Sequence, residues 1–207
     1  MEENAIDVLF ISGSGRSGST LLEQTLNQTG VFASIGELRH IWYKDFFGGE
    51  LCSCGENLKD CPFWSAVMNQ AFGGEDQINF KEMIAFRNAV DRVRYIPRMI
   101  WPDKSTEYHQ KLLQYQAILL KLYRAIKEIS GKAVVIDASK DISSLYMLRM
   151  MPELKLHVLH LVRDSRAVAF SWQRKKPRAD LVGRTGYMIT YNPVETAWQW
   201  DYRNFFS

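Results

Sequence analysis

The sequence predicts an α/β domain, a mostly parallel sheet flanked by helices, folded as a single domain with one insertion. Three observations predict it. Apolar runs are continuous rather than alternating at Val8 to Ile11 and Ala133 to Ile136, the pattern of strands buried on both faces of a parallel sheet, and Leu154 to Val162, interrupted by Lys155, His157 and His160, is read as a third such strand. Helical patterns separate each run from its predecessor, as βαβ connections require. A glycine-rich turn follows the first run at once, at the end of the strand where open parallel sheets place their ligands.

Composition agrees with an ordinary globular chain. The 207 residues are 46% hydrophobic and 24% charged, which excludes disordered, collagen-like and low-complexity classes. The formal net charge is only +3, so bulk charge argues for neither nucleic acid nor an anionic membrane as partner, and any anion site must be local. The amino terminus, MEENAID, is acidic and polar, and no apolar run approaches membrane-spanning length; a cytoplasmic protein is expected.

Along the chain, residues Leu21, Leu22, Thr25 and Leu26 follow the glycine-rich turn in helical rhythm. From about Lys44 to Pro102 the character changes: Gly48-Gly49, Gly73-Gly74, three cysteines and many aromatics, with a helix expected from Phe80 to Arg94. This stretch reads as an insertion beside the active face. Trp42, Tyr43, Phe46, Phe47 and Trp64 suit either a small local core or an apolar substrate pocket. Cys52, Cys54 and Cys61 are too few and too clustered for a disulfide scaffold; they read first as reduced structural thiols, and a zinc site would need a fourth ligand, His40 being the nearest histidine in sequence. Tyr108, Leu112, Tyr115, Leu119, Leu122, Ile126 and Ile129 form one apolar helix stripe, which Gly131 stops. Pro193 opens a last helical pattern that carries Trp198 and Tyr202, and no cap or breaker precedes Ser207, so the chain reads as truncated at its carboxyl end.

The turn itself reads Gly13-Ser14-Gly15-Arg16-Ser17-Gly18-Ser19-Thr20. Its glycines allow a tight turn whose N–H groups face inward, and the helix that follows presents its positive end, so a phosphate can be held there. The Gly13 to Gly18 spacing is that of a P-loop, but Ser19 stands where the P-loop lysine would reach the β- and γ-phosphates. An ATP-dependent phosphotransferase is therefore the second reading of this loop. Asp137-Ala138-Ser139-Lys140 and Arg163 end the other two strands, which brings three polar clusters to one rim. Asp164 suits a helix cap, and Ser171 falls two turns into that helix. Six basic residues and one acid lie between Arg163 and Arg178, a local charge of +5.

These motifs resemble the PAPS-dependent sulfotransferases. Arg16-Ser17-Gly18-Ser19-Thr20 resembles that family's 5′-phosphosulfate loop, and Leu159 to Ser171, with Arg163 and Ser171 eight residues apart, resembles its 3′-phosphate motif. The stretch from Cys52-Ser53-Cys54-Gly55 to Cys61-Pro62-Phe63-Trp64 is similar to bacterial members. The resemblance implies a P-loop-like sulfotransferase domain over residues 1–207, binding 3′-phosphoadenosine-5′-phosphosulfate (PAPS) through Gly15, Arg16, Ser17, Gly18, Ser19, Thr20, Arg163 and Ser171. It implies transfer of the sulfuryl group to a hydroxyl or amine acceptor with no metal required. Arg16 and Lys140 would stabilise charge, and Glu37, placed like the catalytic glutamate of tyrosylprotein sulfotransferases, would be the base. His40 is the alternative base, since the cytosolic enzymes use a histidine. The glycine-rich basic segment that cytosolic members carry late in the chain is absent here, and no adenine pocket is evident.

Overall fold

A computed structural model of the chain describes residues 5–42, 51–178 and 186–207. Among them, β1 (Ile6–Gly13), β2 (Phe32–Ser34), β3 (Val134–Lys140) and β4 (Leu154–Leu161) form one all-parallel sheet in the order β2-β3-β1-β4. Eight α-helices flank it: α1 (Ser19–Asn27), α2 (Pro62–Phe72), α3 (Phe80–Val90), α4 (Ile96–Ile100), α5 (Glu107–Ser130), α6 (Ile142–Arg149), α7 (Ser165–Gln173) and α8 (Pro193–Phe205). No described helix is long and apolar enough to cross a membrane.

The central strand is apolar on both faces because both are covered. Ile6, Val8 and Phe10 point into the main cluster with Leu112, Leu119, Leu122 and Ile126 of α5 and Leu145 and Leu148 of α6. Leu9 and Ile11 point the other way, to Ile136, Ala138 and the α1 residues Leu22 and Leu26. Each fully buried side chain of this size contributes roughly 1.5–3 kcal/mol. The chain leaves β1 for α1 on one face and leaves β3 for α6 on the other. Adjacent strands whose exits diverge in this way open a crevice at their carboxyl ends.

Helix α5 forms as its stripe predicts. Thr106 Oγ1 accepts from the His109 N–H at 3.2 Å to cap its start, and Gly131, at φ 61°, ends it in the left-handed conformation that glycine adopts without a steric penalty. Ile129 departs from the expected stripe: the last turn has rotated out of the core, and this residue is 39% exposed. The described part of the predicted insertion packs on α5, and Leu58, Trp64, Val67, Met68 and Val90 share the main cluster with β1. Trp42 and Trp64 are core residues, Trp42 lying against Phe72 and Phe80 with its Nε1–H donating to Tyr115 Oη at 3.2 Å. Tyr43, Phe46, Phe47, Gly48 and Gly49 lie outside the described residues.

Three features differ from the sequence reading. The expected helix from Phe80 to Arg94 stops at Val90, because Asp91 leaves helical geometry and turns its carboxylate into a buried polar cluster. Strand β2 carried no readable signal; it has three residues, and only Ala33 is buried. The third apolar run is not buried on both faces. In β4 only Leu154 is buried, and Val158 is 49% exposed, because β4 is an edge strand with α6 on one face while α1 lies over β2 and β3. Lys155, His157 and His160 interrupt this run and are exposed, the alternation of a strand covered on one face. Helix α8 forms after Pro193 as expected and leaves Trp198 and Phe205 exposed.

Candidate functional site

The three carboxyl ends bring their polar groups to one rim. After β1 the loop bends through Gly13, at φ 124°, where a Cβ would stand 2.5 Å from the Leu161 carbonyl oxygen of the neighbouring strand. Only glycine fits that approach. Gly18, at φ 99°, precedes α1 and offers no side-chain cap, so the first-turn N–H groups of the helix remain available to a ligand. Ser19 is buried in that first turn, whereas Thr20 is exposed.

Arg16 adopts φ 67°, a left-handed conformation that is uncommon outside glycine. Its guanidinium stacks on the Trp172 ring, 4.7 Å from the centroid, and its Nη2 donates to Met188 Sδ at 2.7 Å. The Arg16 Nε and the Ser17 Oγ are nevertheless buried without a hydrogen-bond partner. A donor buried in this way costs about 1–3 kcal/mol unless something accepts from it. Gly15 lies beneath the same tryptophan: a Cβ there would come within 2.8 Å of the ring.

Arg163 turns toward this loop, and its Nη1 donates to the Arg16 carbonyl at 3.0 Å while its own carbonyl accepts from Trp200 Nε1 at 2.8 Å. Asp164 caps α7 as expected, accepting from the N–H groups of Arg166 and Ala167. The Arg166 guanidinium and these N–H groups hold the Asp164 carboxyl down to about 2. Ser171 is buried within α7, one residue before the tryptophan that covers the loop.

The middle cluster contains an ion pair that the spacing of the residues does not reveal. From Phe10 to Ser12, β1 advances two residues while its partners on β3 advance three, from Asp137 to Lys140. This bulge, with Lys140 at φ 59°, re-aims the lysine. Its Nζ donates to Glu37 Oε1 and to the Ala138 carbonyl, both at 2.6 Å, with the lysine side chain 12% exposed. Lys140 is therefore not a solvent lysine. His40 Nε2 lies 3.4 Å from Glu37 Oε2, so both candidate bases occupy one spot, Glu37 just before and His40 at the end of a 3-10 turn over Leu38–His40.

Two groups here escaped the sequence reading. Trp172 covers the loop, and the only local signal was its place beside Ser171. Glu23 of α1 is buried, its carboxylate accepts from Ser34 Oγ at 3.1 Å, and burial raises its carboxyl above the usual range. Behind the rim, Arg39 forms ion pairs with Asp91 at 2.8 Å and Asp141 at 2.6 Å, and its N–H donates to Ser139 Oγ at 3.1 Å. Asp137 is fully enclosed; burial raises its carboxyl, against hydrogen bonds donated by Ser139 and by Tyr123 Oη. A separate cavity of about 580 Å³, lined by Tyr95, Arg98, Trp101, Tyr108 and Lys111 among others, includes none of these rim groups.

The site thus combines a glycine-rich loop at a helix start with two arginines and a lysine–carboxylate pair at the carboxyl ends of the strands. In comparisons with known proteins, the chain matches no family model, no curated protein and no solved structure.

Proposed function

We propose that the chain is a sulfotransferase that moves the sulfuryl group of PAPS to a hydroxyl or amine acceptor. The observation that carries this reading is the pair of orphaned polar atoms, Arg16 Nε and Ser17 Oγ, buried in a glycine-rich loop at a helix start. They suit the oxygens of a phosphosulfate. Ser19 in place of a P-loop lysine argues against an ordinary nucleoside triphosphate. Arg163, already bonded to the Arg16 carbonyl, would with Ser171 hold a second phosphate at a separate place from the first.

In this reading the loop N–H groups and Arg16 hold the 5′ end of the donor. Glu37 takes the acceptor proton as the acceptor oxygen or nitrogen bonds to sulfur. The sulfur–oxygen bond to the phosphate breaks, and adenosine 3′,5′-bisphosphate leaves with the electron pair. Lys140 lies against Glu37 and supplies positive charge where the transferred group carries negative charge. No step in this plan calls on a metal. Cytoplasmic residence belongs to the same reading, with Cys52, Cys54 and Cys61 all free.

Calorimetry tests it. Adenosine 3′,5′-bisphosphate should bind without Mg²⁺ and roughly tenfold or more tighter than AMP, since the second phosphate adds charge-assisted bonds. Equal affinities would remove the two-phosphate assignment. A larger thermal shift with ATP–Mg²⁺ than with the bisphosphate would instead support a phosphotransferase. Bisphosphate binding without turnover of labelled PAPS would leave a nucleotide-binding domain lacking catalysis.

A further inference from the structure

None of the three cysteines has a role in the rim chemistry described above. Their placement is the work of two local structures. Leu51 and Asn57 form an antiparallel bridge that closes a tight hairpin. The Cys52 N–H donates to the Glu56 carbonyl at 2.8 Å, and the Gly55 N–H donates back to the Cys52 carbonyl at 2.9 Å. Gly55 sits at φ 93°, which a Cβ would strain. Cys61 then immediately precedes Pro62, the first residue of α2, and the Ser65 N–H donates to its carbonyl at 2.9 Å.

The hairpin and the helix start point all three thiols at one another. Cys61 Sγ is 3.6 Å from Cys54 Sγ and 3.4 Å from Cys52 Sγ, and all three sulfurs lie within 4.8 Å of one another. These separations are too long for a disulfide, which needs about 2.05 Å. They match the edge of a tetrahedron of thiolates at Zn–S ≈ 2.3 Å, which is about 3.8 Å. We propose that Cys52, Cys54 and Cys61 bind one zinc ion through three sulfurs, with water at the fourth corner.

The chemistry favours zinc over hard cations. Three sulfurs select a soft or borderline ion, and tetrahedral geometry suits one without a ligand-field preference. Among the described residues, no fourth histidine, cysteine or carboxylate joins the group. His40, the nearest histidine in sequence, is engaged with Glu37 instead. Cys54 is exposed and Cys61 buried, so the ion would sit at the surface with its open corner toward solvent. It would also tie the hairpin to α2, whose Trp64, Val67 and Met68 are core residues.

The test is Co²⁺ and Zn²⁺ binding to the full chain, purified under reducing conditions without a metal-affinity tag. One Co²⁺ per chain should bind, with thiolate-to-cobalt charge transfer and the intense visible bands of a tetrahedral site. An equivalent of Zn²⁺ should then displace it. Cys54→Ser alters only an exposed side chain, so its fold is not at risk. It should weaken Co²⁺ binding by more than about 100-fold, beyond the range for outer-shell changes. Zinc should also raise the melting temperature of the wild type and not of Cys54→Ser. The proposal is overturned if three thiols titrate freely while Co²⁺ binds the wild type no more tightly than Cys54→Ser. A disulfide between any two of them in the reduced preparation overturns it equally.

Discussion

Arg39 links the helices of the predicted insertion to the strand that carries the rim, so its removal should be felt well beyond one side chain. Its guanidinium pairs with Asp91, 1% exposed, and with Asp141, 13% exposed, and its Nη2 also donates to the Asp91 carbonyl at 3.1 Å. Arg39→Met keeps the apolar stem and removes the charge. Stripping one partner from a buried pair typically costs about 3–5 kcal/mol, because the other charge is left without compensation. Here Ser143 and Ser144 still donate to the Asp91 carboxylate, which places the cost at the low end, about 3 kcal/mol. For a chain of this length each kcal/mol lowers the melting temperature by about 2–4 °C, so a fall of about 6–12 °C is expected. Thermal and urea unfolding followed by circular dichroism would measure it. Asp91→Asn in the same background should recover part of the loss, since the orphaned charge is then gone, giving a coupling of about 0.5–3 kcal/mol. A fall below about 2 °C with an unchanged urea slope would show that the pairs carry no net stability, and the reasoning would fail.

Glu37→Gln should lower kcat by roughly 10²–10⁴ with PAPS affinity nearly unchanged, and His40→Asn should do far less; if Glu37→Gln retains more than about a third of the wild-type kcat, the base is His40. Arg163→Ala should act mainly through the KM for PAPS, because a phosphate remote from the breaking bond is held alike in ground and transition states; a loss of kcat at unchanged KM contradicts that role. Burial raises the Glu23 carboxyl above 4.5, so between that pH and its raised folded value the native chain binds more protons than the unfolded one. Stability contributed by this group is therefore complete below pH 4.5 and declines as the pH rises through the folded pKa. Glu23→Gln should flatten that decline in melting experiments across the pH range, and parallel curves for variant and wild type would contradict it.

The sheet and its rim were legible because both are written locally. Continuous apolar runs at β1 and β3 show strands covered on both faces, and helical patterns between them force parallel crossovers. The end of each strand then names its own polar cluster: the loop from Gly13, Lys140 and Arg163. Helix ends were equally readable, since Asp164 and Gly131 act on backbone groups only a few residues away. Strand β4 was read as covered on both faces although Lys155, His157 and His160 interrupt its apolar residues, and which helix lies across it leaves those positions exposed.

Pairings between distant segments were not written in any period. Lys140 meets Glu37 across 103 residues only because a bulge in β3 turns the lysine, and the bulge is a property of two strands in register. Trp172 covers Arg16 because β4 is seated beside β1 and sends α7 back over the loop. Asp91 ends α3 early because Arg39, Ser143 and Ser144 outbid the next helical turn for its carboxylate. Spacing alone brought Cys52, Cys54 and Cys61 within ten positions, but their sulfurs converge because a hairpin and a helix start are packed together. Local preference acts over a few residues, whereas side-chain direction at a site is decided by contacts that exist only once the sheet and its helices have closed around one core.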